Sequence, residues 1–528
     1  MEKEKDTKPD AGLRSLDHYK VMLPRWRYLL RERLLPIVRW ETPYVAWLQN
    51  TLRTPALDTY FAMSANLGTH TFFTIMLPIW FWCGYTDLGR GMVRILAMGV
   101  FFSGFIKDLL CLPRPLSPPL QRITMSGSAA LEYGFPSTHS TNAVSVAVYA
   151  IFLLKQSGDQ LTPTTSLALQ IVAYFYAFSI VLGRLYCGMH GFFDVVIGSI
   201  LGIGIGLLEC FLGPVFDVWF MDGDLKRVLF FESIILVLVR IHPEPADNCP
   251  CFDDSVAFAA VVMGVEFGVW HFAKTPYSWT EPSPGTVPFD LGKIGWPVTI
   301  ARVFLGVFVV FTWRGVMKPL LLKILPPIFR VVEQLGLSLP RRFFKPASQY
   351  QTVPKQEHGD NLIPNARDIP HLLSSLRRRR AISIGPQSEA DAYETLAYRD
   401  KRRRDSLTAN NSPSPAKASS PERGFYSSED VASETGNRKR SSSLEMFRAQ
   451  MGTGPEGLPS QPLESPGGDG AGQEVDELHE RQLFSSIQRP RVRYDVEVIT
   501  KLIVYLGIAW WSVEGNPILF QHIGLGVG

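Results

Sequence analysis

Long apolar stretches with few charged residues alternate with short polar segments along most of this chain. The stretches lie near residues 67 to 85, 95 to 112, 142 to 154, 166 to 183, 195 to 213, 228 to 241, 255 to 273, 296 to 313 and 498 to 511. Most approach the roughly 20 residues that an α-helix needs to cross a bilayer. Trp80, Trp82 and Tyr85 cluster at one stretch end, as aromatic residues do at membrane interfaces. The pattern predicts an all-α, multi-spanning membrane protein with about eight or nine crossings.

Residues 1 to 55 are charged throughout and contain no clean apolar run, so no cleavable signal peptide is expected. Arginines such as Arg25 and Arg33 alternate there with aromatic and aliphatic residues. This mixture predicts an arm that lies at the membrane surface. Thr42-Pro43 resembles a cap and first helical position, so an amphipathic helix is expected to open there and to be broken near Pro55.

Residues 336–490 differ from the rest in composition, with many Ser, Pro, Gly, Arg and Glu residues and few apolar ones. This composition predicts a disordered insert. Basic runs such as Arg377 to Arg380 lie within it, and Arg438 to Arg440 precede serines. Two interpretations stay open: a solvated basic tail, or a cytosolic insert that kinases phosphorylate to change its attraction to anionic lipid.

The apolar pattern and these composition changes together divide the chain. The predicted parts are an interfacial arm at 1–58, a helical core at 59–220, additional transmembrane helices at 221–335, the insert at 336–490 and a final transmembrane segment at 491–528.

Net charge and cysteine content indicate little further chemistry. The formal net charge is only +4, which says little about partners. The apolar stretches make the bilayer the expected partner, and no nucleic-acid partner is expected. The six cysteines show no zinc-like spacing, so no metal or other cofactor is expected and most are interpreted as small buried hydrophobes. Cys249 and Cys251 are either a bonded pair in a loop or chance neighbours.

Three short polar islands interrupt the apolar edges within the first part of the membrane body. They are Lys107 with Arg114-Pro115, then Pro136-Ser137-Thr138-His139, then Arg184 with His190 and Asp194. Arg supplies a planar fork of donors and Lys a compact charge, which together suit a phosphate monoester. Either basic residue alone is equally explained as the ordinary flank of a membrane helix.

The second island has the residue types of a helix start, since Ser137 or Thr138 suits a cap and Pro136 a first helical position. The free N–H groups of such a first turn attract anions. His139 is therefore expected to face a bound phosphate, although a histidine that only hydrogen-bonds at a helix end explains the island equally well.

His190 and Asp194 are separated by three residues and would share one face of a helix. A carboxylate in that position orients and charge-stabilises an imidazole, as a nucleophilic or general-base histidine requires. Arg184 adds a further fork for phosphate oxygens. Because the first island ends one crossing, the second begins the next and the third lies at the turn between the following two, all three are expected on one side of the membrane.

These residues resemble the type 2 phosphatidic acid phosphatase superfamily over roughly residues 60 to 220. Its pattern is Lys, six residues, Arg-Pro; then Pro-Ser-Gly-His; then Ser-Arg, five residues, His, three residues, Asp. Thr138 stands for the usual Gly and Gly183 for the usual Ser, which leaves one phosphate hydrogen bond without a donor. The run from Phe135 to Asn142 is similar to the sphingoid-base-phosphate phosphatase branch, and the long chain with its late tail resembles fungal dihydrosphingosine 1-phosphate phosphatases.

The resemblance implies a hydrolase that removes phosphate from sphingoid base phosphate lipids without a metal. By motif position, His190 attacks phosphorus, Asp194 orients it and His139 protonates the leaving alkoxide. Residues implied to hold the phosphoryl group are Lys107, Arg114, Ser137 and Arg184. The alternatives are the same chemistry on phosphatidate, diacylglycerol pyrophosphate or polyprenyl pyrophosphate, and a non-catalytic membrane scaffold or lipid carrier.

The resemblance also implies a multi-pass protein of the endoplasmic reticulum membrane with a lumenal active site. The basic excess in residues 1 to 54 favours a cytosolic start, and two crossings would then place the site in the cytosol. Both orientations stay open from the residues alone.

Overall fold

The structure is a computed structural model that is almost entirely helical. It describes residues 16–64, 67, 70–116, 120–123, 132–158, 161–246, 249–337, 344–351, 353 and 493–527. The helices are α1 (Leu16–Met22), α2 (Arg25–Leu52), α3 (Pro55–Ser64), α4 (His70–Trp82), α5 (Thr86–Leu110), α6 (Thr138–Gln156), α7 (Pro163–Tyr186), α8 (Phe192–Met221), α9 (Leu225–Ile241), α10 (Cys251–Phe272), α11 (Leu291–Gln334), α12 (Asp495–Trp510) and α13 (Asn516–His522).

Five described segments are long and apolar enough to cross a membrane, namely α7, α8, α10, α11 and the segment Asp495–His522. This confirms a helical multi-spanning protein, although it is fewer than the crossings expected from the apolar stretches. Charged residues such as Arg90, Arg94 and Lys107 reduce the hydropathy of α5, the polar start of α6 reduces that of α6, and α4 and α9 are shorter. The membrane-spanning helices differ in burial. In α10, 78% of the apolar stretch is buried inside the protein, against 17% of that in α7. Hence α10 is central and α7 faces lipid.

Helices α5 to α8 form one packed group, in which α6 lies against α5, α7 and α8. A line of glycines on α8 permits the closest approach. A Cβ at Gly198 would lie 2.6 Å from the Ser137 carbonyl oxygen, and one at Gly202 would lie 2.4 Å from that of Thr141. Small residues four apart let helix backbones meet in this way. The contact brings the start of α6 beside the start of α8.

A buried ionic cluster joins α5, α8 and α10 near the other end of this group. Arg94 Nη2 lies 2.6 Å from Glu209 Oε1, and Arg94 Nη1 lies 2.8 Å from Asp217 Oδ1. Arg90 Nη2 lies 2.6 Å from Glu266 Oε2. Buried charges persist in membrane helices only when they are paired. The cluster therefore fixes α10 and, through it, α12 and α11 against the first group.

The arm is helical, but its helix does not begin at Thr42. Helix α2 runs unbroken through Pro43, and the Thr42 hydroxyl donates to the Val38 carbonyl within the helix at 2.8 Å. The expected cap is wrong because a proline is tolerated here inside a longer helix. The break near Pro55 is confirmed, since α2 ends at Leu52 and α3 begins at Pro55.

Most of the expected insert lies outside the described residues, but part of its first section is ordered. Strand β1 (Phe344–Lys345) pairs in parallel with β2 (Arg493–Tyr494), and a 3₁₀ turn follows at Ala347–Gln349. The disorder expected from residue 336 onward is wrong for 344–351. A composition-based boundary cannot detect pairing with a strand that follows the insert.

Cysteine placement agrees with the expectation of burial, since Cys111, Cys187 and Cys210 are buried. Cys249 and Cys251 form a disulfide at the start of α10. This placement favours a bonded pair over chance neighbours.

Candidate active site

Four helix ends carrying the polar islands meet at one end of the bundle. Lys107 lies in the last turn of α5, Ser137 caps α6, Arg184 lies in the last turn of α7, and Asp194 lies in the first turn of α8. The backbone N–H of Ser137 donates to the Asp194 carbonyl at 3.0 Å. The expected convergence on one side is therefore present in the described structure.

His190 and Asp194 meet through a turn and not through a shared helix face. His190 precedes α8, and Asp194 Oδ2 accepts a 2.9 Å hydrogen bond from the Gly191 N–H as part of the cap of that helix. This bond directs the carboxylate backward, so that His190 Nδ1 lies 3.5 Å from Oδ2. Both side chains are buried. Asp194 is thus placed to orient the imidazole.

The other ring nitrogen of His190 faces a guanidinium. Arg114 Nη1 lies 3.1 Å from His190 Nε2 and also donates to the Met189 carbonyl at 2.7 Å. Because arginine only donates, Nε2 must be the unprotonated nitrogen and Nδ1, beside Asp194, carries the hydrogen. Burial and the charges of Arg114, Arg184, Lys107 and His139 hold the pKa of His190 well below its usual value. His190 is therefore a neutral imidazole with its lone pair directed into the basic cluster.

Lys107, Arg114 and Arg184 form that basic cluster, and each is at least nine-tenths buried. Lys107 Nζ lies 2.8 Å from Glu132 Oε2, which is 3.7 Å from Arg114 Nη2. Burial lowers the pKa of Arg114 to about 10, so it stays charged at neutral pH. Within the described chain, Nε and Nη2 of Arg184 are buried without a hydrogen-bond partner. A bound phosphoryl group would supply the acceptors that this guanidinium lacks.

The second island is a helix start, as expected, with Ser137 as its cap. The Ser137 hydroxyl accepts from the Ser140 N–H at 3.3 Å, while Pro136 precedes the cap instead of occupying the first helical position. Half-buried His139 lies in the first turn. Its charge is among those that lower the pKa of His190.

The two departures from the superfamily pattern have structural explanations. The Thr138 hydroxyl lies 2.8 Å from that of Ser103 on α5, so Thr138 ties the two helices together. A Cβ at Gly183 would lie 2.9 Å from the Phe61 ring of α3. Gly183 therefore accommodates α3, and the hydrogen bond of the usual serine is not replaced at that position.

Two acids that the sequence did not single out adjoin the site. Glu132 is paired with Lys107, and Glu41 reaches the start of α8 from α2. Glu41 Oε2 accepts from the Phe193 N–H at 2.9 Å, and a Cβ at Gly191 would lie 1.7 Å from Glu41 Oε1. Burial and the nearby Asp194 charge raise the pKa of Glu41 to about 7. Their signal in the sequence is weak, because each is a single acid in a mixed-charge segment.

A neutral histidine backed by a carboxylate and facing clustered cations is suited to phosphoryl transfer, and here it sits at the ends of membrane helices. Fold and site thus define a membrane phosphatase. The PAP2 superfamily model matches residues 89–212, a range that contains all three islands. The chain belongs to the PAP2 superfamily, and it is a phosphatase, as the motif resemblance implied.

Curated relatives agree with this assignment. A dihydrosphingosine 1-phosphate phosphatase of Schizosaccharomyces pombe is 40% identical over 341 residues, which cover 64% of this chain and 79% of the relative. A dihydrosphingosine 1-phosphate phosphatase of Saccharomyces cerevisiae is 34% identical over 309 residues, covering 58% and 74%. Sphingosine-1-phosphate phosphatase 1 of Mus musculus is 26% identical over 264 residues, covering 49% and 59%. No solved structure matches the chain significantly.

Proposed function

We propose that this protein dephosphorylates long-chain sphingoid base phosphates through a phosphohistidine on His190. The observation that carries the proposal is the neutral His190 imidazole, which has Nδ1 beside Asp194 and Nε2 directed into the basic cluster. The substrate class is supported by the fungal relatives, whose names specify dihydrosphingosine 1-phosphate.

In the first step His190 Nε2 attacks phosphorus, the N–P bond forms and the bond from phosphorus to the alkyl oxygen breaks. His139 gives its proton to the departing alkoxide, which leaves as the alcohol. Asp194 stabilises the imidazole as it becomes positive. In the second step His139 takes a proton from water, whose oxygen attacks phosphorus. The N–P bond breaks, its electron pair returns to Nε2, and inorganic phosphate and neutral His190 are released.

Lys107, Arg114 and Arg184 hold the phosphoryl oxygens, together with Ser137 at the start of α6. Their role is to neutralise charge in an in-line transition state, which is the main contribution of a protein to phosphoryl transfer. In the described structure Arg114 contacts Nε2 itself. A phosphoryl oxygen would replace that contact and expose the lone pair for attack.

The test is phosphate release by purified wild-type protein and His190→Ala, with chelator present, from dihydrosphingosine 1-phosphate and from phosphatidate. We expect wild-type release from the sphingoid substrate that persists in chelator and is lost in the variant. His271→Ala is the matched control, because His271 pairs with Glu514 near the far end of α10 and its loss should leave turnover unchanged. Comparable turnover by His190→Ala would contradict the mechanism, and preference for phosphatidate would contradict the substrate.

We also propose that the protein resides in the endoplasmic reticulum membrane with a lumenal site, as its resemblance implies. The described ends of the insert bear on this orientation. Strand β2, at the end of the insert, is held by an Arg493 Nη2 bond of 2.5 Å to the Cys249 carbonyl, and α10 begins beside Gly104, one turn before Lys107. Both ends of the insert therefore lie at the active-site end of the bundle, since β1 pairs with β2.

This shared position means that a lumenal site and cytosolic kinases acting on residues 336–490 exclude one another. Protease treatment of intact microsomes carrying an epitope in the insert decides between them. Protection of the epitope is expected if the site is lumenal. Cleavage without detergent would show that both the insert and the active site face the cytosol, where kinases could phosphorylate the insert.

A further inference from the structure

Glu132 occupies a position that a phosphate-binding cluster does not require. Its carboxylate pairs with Lys107 at 2.8 Å and lies 3.7 Å from Arg114 Nη2. Its charge also acts on Arg184. A carboxylate beside a phosphate dianion is repelled by it, at a cost that grows in a buried site. An acid retained there needs a positive charge to face when substrate is bound.

A second acid, Asp254, approaches the same cations from α10. Asp254 is only 6% exposed, and its charge acts on both Lys107 and Glu132. Asp254 forms no ion pair within the described residues, whereas the neighbouring Asp253 is paired with Lys501 at 2.8 Å.

Local backbone contacts keep Glu132 at the cluster. Arg114 Nε donates to the Glu132 carbonyl at 2.9 Å. Two residues later, a Cβ at Gly134 would lie 2.7 Å from the Pro113 carbonyl oxygen, so the segment presses against the backbone beside Arg114. These contacts hold the segment close to Arg114 and keep the Glu132 carboxylate within reach of a substrate.

We propose that Glu132 and Asp254 form an ammonium subsite that recognises the amine of the substrate beside its phosphate. This inference rests on the proposed function. A sphingoid base phosphate carries a protonated amine on the carbon next to the one that bears the phosphate ester. Three cations for the phosphate and two acids for the ammonium complement the two charges of such a headgroup. Phosphatidate has no ammonium and would leave both acids facing its phosphate.

The experiment compares two substrates that differ only in the amine, dihydrosphingosine 1-phosphate and 3-hydroxyoctadecyl phosphate. The proteins are wild type, Glu132→Gln, Asp254→Asn and the control Asp253→Asn, and kcat/KM is measured for each pair. Loss of one charged hydrogen bond should lower kcat/KM for the amine substrate about tenfold to a hundredfold in Glu132→Gln and Asp254→Asn. The analogue should change less than about threefold, because the acids make no favourable contact with it. Asp253→Asn should keep the wild-type ratio.

The ratio of the two substrates separates recognition from a structural role. A variant with equal losses on both substrates, or an unchanged ratio, overturns the subsite. An equal increase of kcat/KM on both substrates would instead mean that Glu132 competes with the phosphate for the cations. That result would also overturn the ammonium subsite. If Glu132→Gln does not fold, Asp254→Asn gives an independent answer, since Asp254 has no ion pair within the described residues. Wild-type protein inactive on both substrates would contradict the proposed function itself.

Discussion

Glu41 provides a pH-dependent test of how α2 supports the active site. Its pKa is about 7 in the folded protein, against an ordinary value of 4.5, because of burial and the charge of Asp194. Between these values the folded protein keeps a proton that the unfolded chain has lost. This contribution to stability is therefore fully present below about pH 4.5 and is lost as the pH rises through about 7.

The magnitude follows from the two pKa values. At 1.36 kcal/mol per pKa unit, the difference corresponds to about 3 kcal/mol of free energy of unfolding between acidic and alkaline pH. For a large chain this is a change in Tm on the order of 5 °C. Glu41→Gln removes the ionisation, while its amide oxygen can still accept the Phe193 N–H that Oε2 accepts at 2.9 Å.

The assay is the Tm of detergent-solubilised wild type and Glu41→Gln at pH 4.0 and 8.5. We expect the variant to match wild type at the lower pH and to exceed it on the order of 5 °C at the higher pH. Arg39→Gln is the control on the same helix, since Arg39 is exposed and a surface change of this kind shifts stability little. Parallel Tm curves for wild type and Glu41→Gln would refute the reasoning.

Two further predictions concern the glycine contact and the unpartnered guanidinium. Gly198→Ala should destabilise the fold by about 1–3 kcal/mol and reduce turnover, since its Cβ would lie 2.6 Å from the Ser137 carbonyl. Gly204→Ala, where nothing lies within 4 Å, should change neither Tm nor kcat, and equal effects of the two changes would contradict close packing as the cause. Arg184→Lys should lower kcat/KM at least tenfold with an unchanged Tm, because lysine cannot reproduce the planar fork; steady-state kinetics beside thermal melts checks this, and wild-type kinetics would remove Arg184 from the site.

Much of the site was predictable because its signals are local. The spacing of His190 and Asp194 is short, and the residues that start or end a helix are visible in a few neighbouring positions. Because consecutive membrane helices cross the bilayer in alternating directions, the islands could be placed on the same side without any knowledge of packing. The assumption that His190 itself is helical was unnecessary, since the cap formed by Asp194 and Gly191 brings the two side chains together.

The acidic residues of the site were not predictable, because the role of an acidic side chain depends on which residues pack against it in the fold. Glu132 resembles any charge in a loop until Lys107 is found 2.8 Å away. Arg94 and Glu266 are separated by 172 residues along the chain. Such pairs depend on the rotation and depth of whole helices, which an apolar pattern does not specify.

The sequence by itself determined a helical membrane protein and the identities of its phosphate-handling residues, because hydrophobic length and motif spacing are properties of short segments. Tertiary structure alone decided the tautomer of His190, the burial of Glu41 at the start of α8 and the ordered strand at Phe344. The physical reason is that protonation, desolvation and pairing depend on the distance between groups remote in the chain, and only the packed bundle sets those distances.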